Sequence, residues 1–392
     1  MPSPPKYPMN IRDLIPFSSL LIASLLFQGC GGKGTSELNQ DGKNGDKASV
    51  KPIFVSGIFQ KSAAIQAHLD LETANESSFA KAIREKFPEQ QKQFENLALD
   101  TQEVFTALGV KPEDFVEFAF VLGSLDFANE GFDELPEDVA FAVAFKVDGE
   151  VDINKVLDLA ASEANEEGQA ELQKVRDGKE EFEGASLYKI PVPDMGEGRH
   201  LFVAHKIFDG ATYVLGGDES TIRGALASGK AGKPSEGSGI QARLLKEKIG
   251  WLAIDLPEGL LDQFKEDAAE NPFLKGVSNL LSQIQAIGLS GNITDVFPLQ
   301  LRIGFSGETA NESSTQAAAA VNGILGFVRL GALKNPDAFP PFFNSLTVTA
   351  EESDVVANVT FTLADVEFAQ DKAEEALNPD LSDPIDAPAE SE

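Results

Sequence analysis

The sequence predicts an α+β fold of two similar units, each a mostly antiparallel sheet with helices on one face. Hydrophobic residues make up 42% of the 392 residues, which excludes a chain that is disordered throughout. Short segments with apolar residues at alternate positions recur along the chain, and segments with helical periodicity separate them. The order of these segments starts again at Gly250, which indicates a duplication of one α+β plan.

The first unit is assigned to residues 51–228. A helix is predicted from Pro88 to Leu108, after the first strand. Asp152 and Asp218 are expected to cap later helices, because an aspartate side chain accepts hydrogen bonds from the free N–H groups at a helix start. The strands of this unit are predicted at 63–71, 116–126, 138–149, 185–192, 200–208 and 211–217.

The second unit is assigned to residues 249–370, with a long helix predicted from Glu312 to Leu330. Segments 69–71 and 254–256, Leu-Asp-Leu and Ile-Asp-Leu, hold matching positions in the two units, which supports the duplication. The strands are predicted at 250–256, 285–293, 297–307, 344–353 and 354–363, the last two as a hairpin.

Between the units, residues 227–239 are rich in glycine, serine, proline and lysine and offer little apolar surface to bury. We expect them to be exposed, within a connection assigned to residues 229–248. At the carboxyl end, residues 371–392 are acidic and contain prolines, which predicts a disordered tail.

The segment Leu14–Phe27 carries no charge and follows the basic residues Lys6 and Arg12. Its 14 residues span roughly 21 Å as a helix, too short for a hydrocarbon core of about 30 Å. Residues 1–29 are therefore predicted to be a cleaved secretory signal, with translation expected to start at Met9. The alternative is a buried helix, against which Pro16 and the glycine-rich exit argue.

Cys30 is the only cysteine of the chain and directly follows Gly29 at the end of this segment. The arrangement resembles the lipobox of bacterial lipoprotein precursors, although Phe27 and Gln28 depart from the usual pattern. The resemblance implies cleavage before Cys30, a diacylglycerol on its sulfur, and incorporation of palmitate. The alternative is an unmodified cysteine in a signal that is cut elsewhere.

The resemblance also implies the location of the protein. The residue after the lipidated cysteine acts as a sorting signal in some lipoprotein systems. Here it is Gly31 rather than aspartate, which resembles the signal for the outer membrane of the cell envelope. Residues 30–50 are mostly glycine and polar, and are predicted to be a flexible tether between the lipid and the folded part.

Charge excludes one class of partner. The formal net charge is −31, from 63 acidic and 32 basic residues. Such a surface is repelled by phosphate backbones, so we expect no nucleic-acid partner. A single cysteine also excludes a disulfide within the chain.

Candidate catalytic residues are few. Asp70 and Asp255 hold equivalent strand ends in the two units, so a symmetric pair of acids could bind a cation or work as acid and base; the alternative is that each caps the following helix. His200 and His205 are five residues apart in one strand and therefore point to opposite faces, which argues against a shared metal. We expect no metal site, no bound cofactor and no catalytic activity.

Between a helix and a strand, residues 335–345 contain three phenylalanines that flank two adjacent prolines, Pro340 and Pro341. Prolines keep this segment out of regular structure. We expect its rings to fold back over the sheet; the alternative is an outward-facing docking patch.

Three functional hypotheses follow. The first is a membrane-tethered lipoprotein of the cell envelope that acts as a non-enzymatic binding or structural module, with an unidentified protein or envelope partner. The second is a carrier of an apolar ligand held between sheet and helices. The third is a hydrolase or metal-dependent enzyme with a site of scattered acids, for which Asp70 and Asp255 are the candidates.

Overall fold

The structure is a computed structural model that describes residues 54–60, 63–86, 109–111, 114–123, 140–191, 200–230, 239–244, 248–256, 261 and 278–377. The predicted signal peptide with Cys30, the predicted tether and the whole helix predicted at 88–108 lie outside these ranges.

The described strands form one sheet of twelve, in which every pairing between neighbours is antiparallel. The order across the sheet is β11-β12-β10-β9-β8-β1-β2-β3-β7-β6-β5-β4. The strands are β1 Ile65–Asp70, β2 Phe115–Leu122, β3 Phe141–Asp148, β4 Glu180–Phe182, β5 Ala185–Pro191, β6 His200–Phe208, β7 Ala211–Gly217, β8 Gly250–Asp255, β9 Ile284–Gly291, β10 Phe297–Phe305, β11 Thr347–Glu351 and β12 Asp354–Phe361.

The helices accompany this sheet and confirm the predicted α+β class. In chain order they are α1 Leu71–Glu76, α2 Ser78–Lys86, α3 Ile153–Glu163, α4 Glu166–Asp177, α5 Glu219–Lys230, α6 Ser278–Leu281, α7 Ala310–Lys334 and α8 Leu363–Leu377. A 3-10 turn at Ser56–Ile58 precedes β1.

The strand order repeats about the centre of the sheet. Outward from the centre, one half runs β1-β2-β3-β7-β6-β5-β4 and the other runs β8-β9-β10-β12-β11, so the first five strands of each half correspond and β5 and β4 are additional in the first. The two halves join through β1 and β8, which pair antiparallel with Ile65 opposite Ile254 and Leu69 opposite Gly250. Both predicted units are therefore parts of one continuous sheet.

Most helices cover one face of the sheet, which we call the helical face. Leu71 of α1 packs there on Phe118, and Leu157 of α3 packs on the cluster around Tyr188. α7 covers the same face at the other end, above β10, β11 and β12. α5 departs from the predicted arrangement, because it lies on the opposite face.

The opposite face holds the largest core cluster. Phe54, just before the 3-10 turn, and Ile58 within it are each 1% exposed and pack there with Ile222 and Leu226 of α5. Gly229 allows this close packing, since a Cβ built on it would lie 2.3 Å from the ring of Phe54. Burial of this apolar segment stabilises the first unit.

Two predicted boundaries differ from the structure. α5 continues to Lys230, into the segment expected to be an exposed link, and Ile240 and Leu244 of the predicted connection are buried in the core of the opposite face. α8 runs to Leu377, so the first residues of the predicted tail are helical.

Aspartate caps fix several helix starts as predicted. Asp152 accepts a hydrogen bond from the N–H of Asn154 at 3.0 Å, at the start of α3. Asp218 accepts one from the N–H of Thr221 at 2.9 Å at the start of α5, and one from the N–H of Phe141 at 3.1 Å. The second bond ties the helix start to β3.

The phenylalanine-rich segment after α7 folds back over the sheet, as predicted. The ring of Phe342 stacks on Phe343 at 4.7 Å and packs on Phe361 of β12 at 5.1 Å. Phe343 joins the cluster between α7 and the helical face.

Candidate functional site

Asp70 and Asp255 lie at opposite ends of the β1–β8 pair. Asp70 is opposite Ile249, and Asp255 is opposite Ala64, with backbone bonds of 2.8 and 2.7 Å. At about 3.3 Å per residue the two carboxylates are roughly 20 Å apart along the strands. The structure therefore does not bring them into one acidic site.

Asp70 has a capping role in the structure. Its carboxylate accepts hydrogen bonds of 2.8 Å from the N–H and from the hydroxyl of Thr73, in the first turn of α1. This is the alternative that the sequence left open for this residue.

The histidines are separated. His205 lies on the helical face, where its Nε2 is 2.7 Å from the carbonyl oxygen of Val151, and His200 points to the other face of β6. Among the residues that the structure describes, no group of three or more histidine, cysteine, aspartate or glutamate side chains is placed to hold a metal ion.

A polar cluster lies on the opposite face where β1 pairs with β8, a junction that we call the β1–β8 seam. His68 Nε2 is 2.7 Å from Glu117 Oε1, and the imidazole stacks on Trp251 with ring centroids 6.2 Å apart. The Nζ atom of Lys248 lies 5.0 Å from the centroid of the Trp251 ring. Burial lowers the pKa of Lys248 from 10.5 to about 8. Phe59 also packs on Trp251, with ring centroids 4.9 Å apart. We therefore infer that the cluster has a structural role and stabilises the pairing of β1 with β8.

Sequence reasoning missed this cluster because its members come from three strands and a loop that are distant in sequence. The pairing of β1 with β8 alone places His68 opposite Trp251.

A buried ion pair ties the connection to the second unit. Asp354, which is 1% exposed, accepts a hydrogen bond of 3.0 Å from Arg302, and its Oδ2 lies 3.3 Å from Nε of Arg243. Two cations around one buried carboxylate compensate its desolvation. The arrangement fixes a second 3-10 turn, Gln241–Arg243, against β10 and β12.

A surface groove of about 290 Å³ lies between the end of α4 and the edge of β5 and β6. Its lining includes Lys174, Lys189, Glu171 and His200. Charged side chains of this kind do not suit an apolar ligand. The phenylalanines of the helical face pack against each other, as Phe118 and Phe145 do at 5.2 Å.

The most distinctive surface of the described structure is the outward side of α7. We call it the α7 outer face; it consists of Ala319, Gly323, Ile324, Phe327, Leu330 and Leu333. Its large side chains are far more exposed than apolar residues usually are: Ile324 64%, Phe327 79%, Leu330 59% and Leu333 81%.

The inner side of α7 is fixed to the sheet. Leu325 is buried, and at about 100° per residue it lies on the other side of the helix from Phe327. Asn322 donates a hydrogen bond of 2.8 Å to the carbonyl of Val348, and Arg329 donates one to the carbonyl of Leu346. Both bonds reach the edge strand β11 or its start, so the helix cannot turn its outer face inward.

α7 is apolar on both sides, and among the described helices it alone has the length and composition to cross a membrane. A helix that is apolar all round is normally covered on all sides. In the first unit the corresponding place between β3 and the later strands is taken by α3 and α4. α4 exposes Glu171, Gln173 and Lys174, so the fold itself does not require an apolar outer face at this place.

No protein-family model matches the chain, and neither the curated proteins nor the solved structures that were searched gave a match.

Proposed function

We propose that this protein is a lipid-anchored, non-enzymatic binding module of the cell envelope, and that it binds a protein partner through the α7 outer face. The lipobox-like sequence that ends at Cys30 supports the anchor. The single observation that supports protein binding is the exposure of Ile324, Phe327, Leu330 and Leu333 on one rigidly held helix.

The size of this surface supports a protein partner. The four side chains together expose roughly 500 Å² of apolar surface, taking about 200 Å² for a large side chain. Contiguous apolar patches of this size mark sites of interaction on soluble domains. The bonds from Asn322 and Arg329 keep the patch in place, so a partner meets a preformed surface.

The variant Cys30→Ser tests the proposed lipid anchor. The wild-type chain is expected to incorporate a palmitate analogue and to enter the detergent phase, whereas Cys30→Ser does neither. Equal labelling of the two forms would contradict the lipid anchor and leave the surface of α7 as a separate question.

Photo-crosslinking in the producing cells tests protein binding. A photoreactive amino acid in place of Leu330 should give a discrete protein adduct of the full-length chain. The same amino acid in place of Gln173, on the exposed side of α4, is the matched control and should give no adduct. Adducts of equal yield at both positions, or none at Leu330, would contradict the proposed function.

A further inference from the structure

We infer that the partner of the α7 outer face is a second copy of this chain, and that the two α7 helices pair antiparallel with Gly323 at their crossing point. The inference rests on the proposed function, because it takes the face to be a protein-binding surface. It adds which protein binds and in which orientation.

The two halves of α7 differ in the size of their outward residues. The amino-terminal half presents Thr315, Gln316 and Ala319, and the carboxyl-terminal half presents Phe327, Leu330 and Leu333. In an antiparallel pair centred on Gly323, residues equally distant from Gly323 face each other. Phe327 of one copy then meets Ala319 of the other at two symmetric places, and Leu330 lies over Gln316.

Gly323 suits a crossing point. A Cβ built on Gly323 has no atom within 4 Å, and the same holds for Gly326. The glycine therefore leaves open space on the outer face and is not required by packing within the copy. Small residues at a crossing allow two helix backbones to approach closely.

The terminal charges of α7 complement each other in this orientation. Glu312 lies eleven residues before Gly323 and Lys334 lies eleven residues after it, and both are exposed. The antiparallel pair places Glu312 of each copy opposite Lys334 of the other. Within one copy the two residues are about 33 Å apart along the helix and cannot interact.

The available area is that of a small interface. Standard interfaces bury about 800 Å² per partner. Phe327 and Leu330, which point nearest to the direction of Gly323, supply roughly 300 Å² of apolar surface, and Ile324 and Leu333 lie on the two flanks of the face. A lipid surface fits less well, because the centre of the face is glycine and alanine, which offer little apolar area to insert.

The variant Gly323→Leu distinguishes the two occupants considered for the α7 outer face, a second copy of the chain and a lipid surface. We use the full chain with Cys30→Ser, in dilute non-ionic detergent, and measure the monomer–dimer equilibrium by sedimentation velocity. The wild-type surface should dimerise with rising concentration, and Gly323→Leu should weaken the dimer at least tenfold. The melting temperatures of the two proteins should be equal at dilutions where both are monomeric. Gly224→Leu in α5 is the matched control, because a Cβ there also meets no atom within 4 Å; it should dimerise like the parent.

Charge reversal tests the orientation. Glu312→Lys and Lys334→Glu should each weaken the dimer by roughly threefold to tenfold, since each places like charges at two symmetric contacts. The double variant should regain the affinity of the parent chain. Dimers that respond to neither single reversal would overturn the antiparallel arrangement.

Failure of this inference is distinguishable from failure of the proposed function. If the chain stays monomeric but Leu330 is crosslinked to a different protein, the proposed dimer is wrong and the proposed binding of a protein partner stands. A monomer whose binding to neutral phospholipid vesicles increases with Gly323→Leu, and that gives no protein adduct, overturns both. If Gly323→Leu leaves dimerisation unchanged, the two α7 helices do not cross at Gly323.

Discussion

Lys248 shows how a single residue responds to its place in the fold. Its ammonium group lies between Trp251 and the carbonyl of Gln241, 3.3 Å away, and burial lowers its pKa to about 8. The folded protein therefore holds this proton less tightly than the unfolded chain does, whose lysine pKa is about 10.4. The charge at the seam opposes folding at neutral pH.

The free energy of unfolding should accordingly rise between pH 8 and pH 10, because the unfolded chain binds more protons in this window. The variant Lys248→Met lacks the ammonium group and therefore lacks this pH-dependent contribution to the free energy of unfolding. Urea unfolding at pH 7.5 and pH 9.5 should show wild type gaining about 1 kcal/mol relative to the variant. Tyr213, whose pKa is raised by burial, is present in both proteins and cancels in the comparison. Parallel pH curves for the two proteins would refute the assignment.

At the scale of the elements, packing between α5 and the 3-10 turn decides the stability of the opposite face. A Cβ on Gly57 would lie 2.8 Å from the carbonyl oxygen of Ala225, and a Cβ on Gly229 would lie 2.3 Å from Phe54. The two elements thus approach each other at glycines from both sides.

Gly229→Ala should lower the free energy of unfolding by about 1 to 3 kcal/mol, because Phe54 must shift to admit the methyl group. Gly224→Ala lies in the same helix with open space around it, and should be neutral or stabilising by up to about 1 kcal/mol through helix propensity. Urea unfolding compares the two. Equal stabilities of the two variants would show that this contact is not tight.

Sequence reasoning predicts the local elements better than their pairing. The bounds of β6 and β7 were predicted without error, because alternating apolar residues end at Asp209 and Gly210, whose positive φ values of 52° and 77° form the turn. α4 and β4 were missed, since charged residues outnumber the apolar ones in both.

The α7 outer face could not be predicted for a physical reason. The sequence of α7 places apolar residues on every side, so no polar stripe tells which side faces water. The orientation is settled by tertiary contacts: the burial of Leu325, and the bonds of Asn322 and Arg329 to the carbonyl oxygens of Val348 and Leu346.

At the scale of the whole molecule, the β1–β8 seam makes one sheet from two units. The core of the opposite face crosses the seam, since it contains Phe54 and Leu215 from the first unit and Ala253 and Ala286 from the second. The units therefore share buried surface as well as backbone hydrogen bonds. Local segments alone do not predict this, because the pairing joins residues almost 190 positions apart.

Unfolding should be a single transition for this reason. Trp251, the only tryptophan, is 7% exposed at the seam, so its emission should be blue-shifted in the folded protein. Its red shift in urea should coincide with the loss of far-ultraviolet circular dichroism. Two separate transitions, or a tryptophan that already emits red when folded, would argue for two independent units.

The central claim is that the α7 outer face is covered by protein in the assembled state. Under the proposed function the sulfur of Cys30 carries a lipid, so a cysteine introduced elsewhere is the only free thiol. The most direct measurement is the rate at which a membrane-impermeant maleimide labels Leu330→Cys in isolated envelopes, with Gln173→Cys as the control. We predict rapid labelling of Gln173→Cys, slow labelling of Leu330→Cys, and equal rates once both proteins are denatured. Equal rates in the native envelopes would contradict the claim.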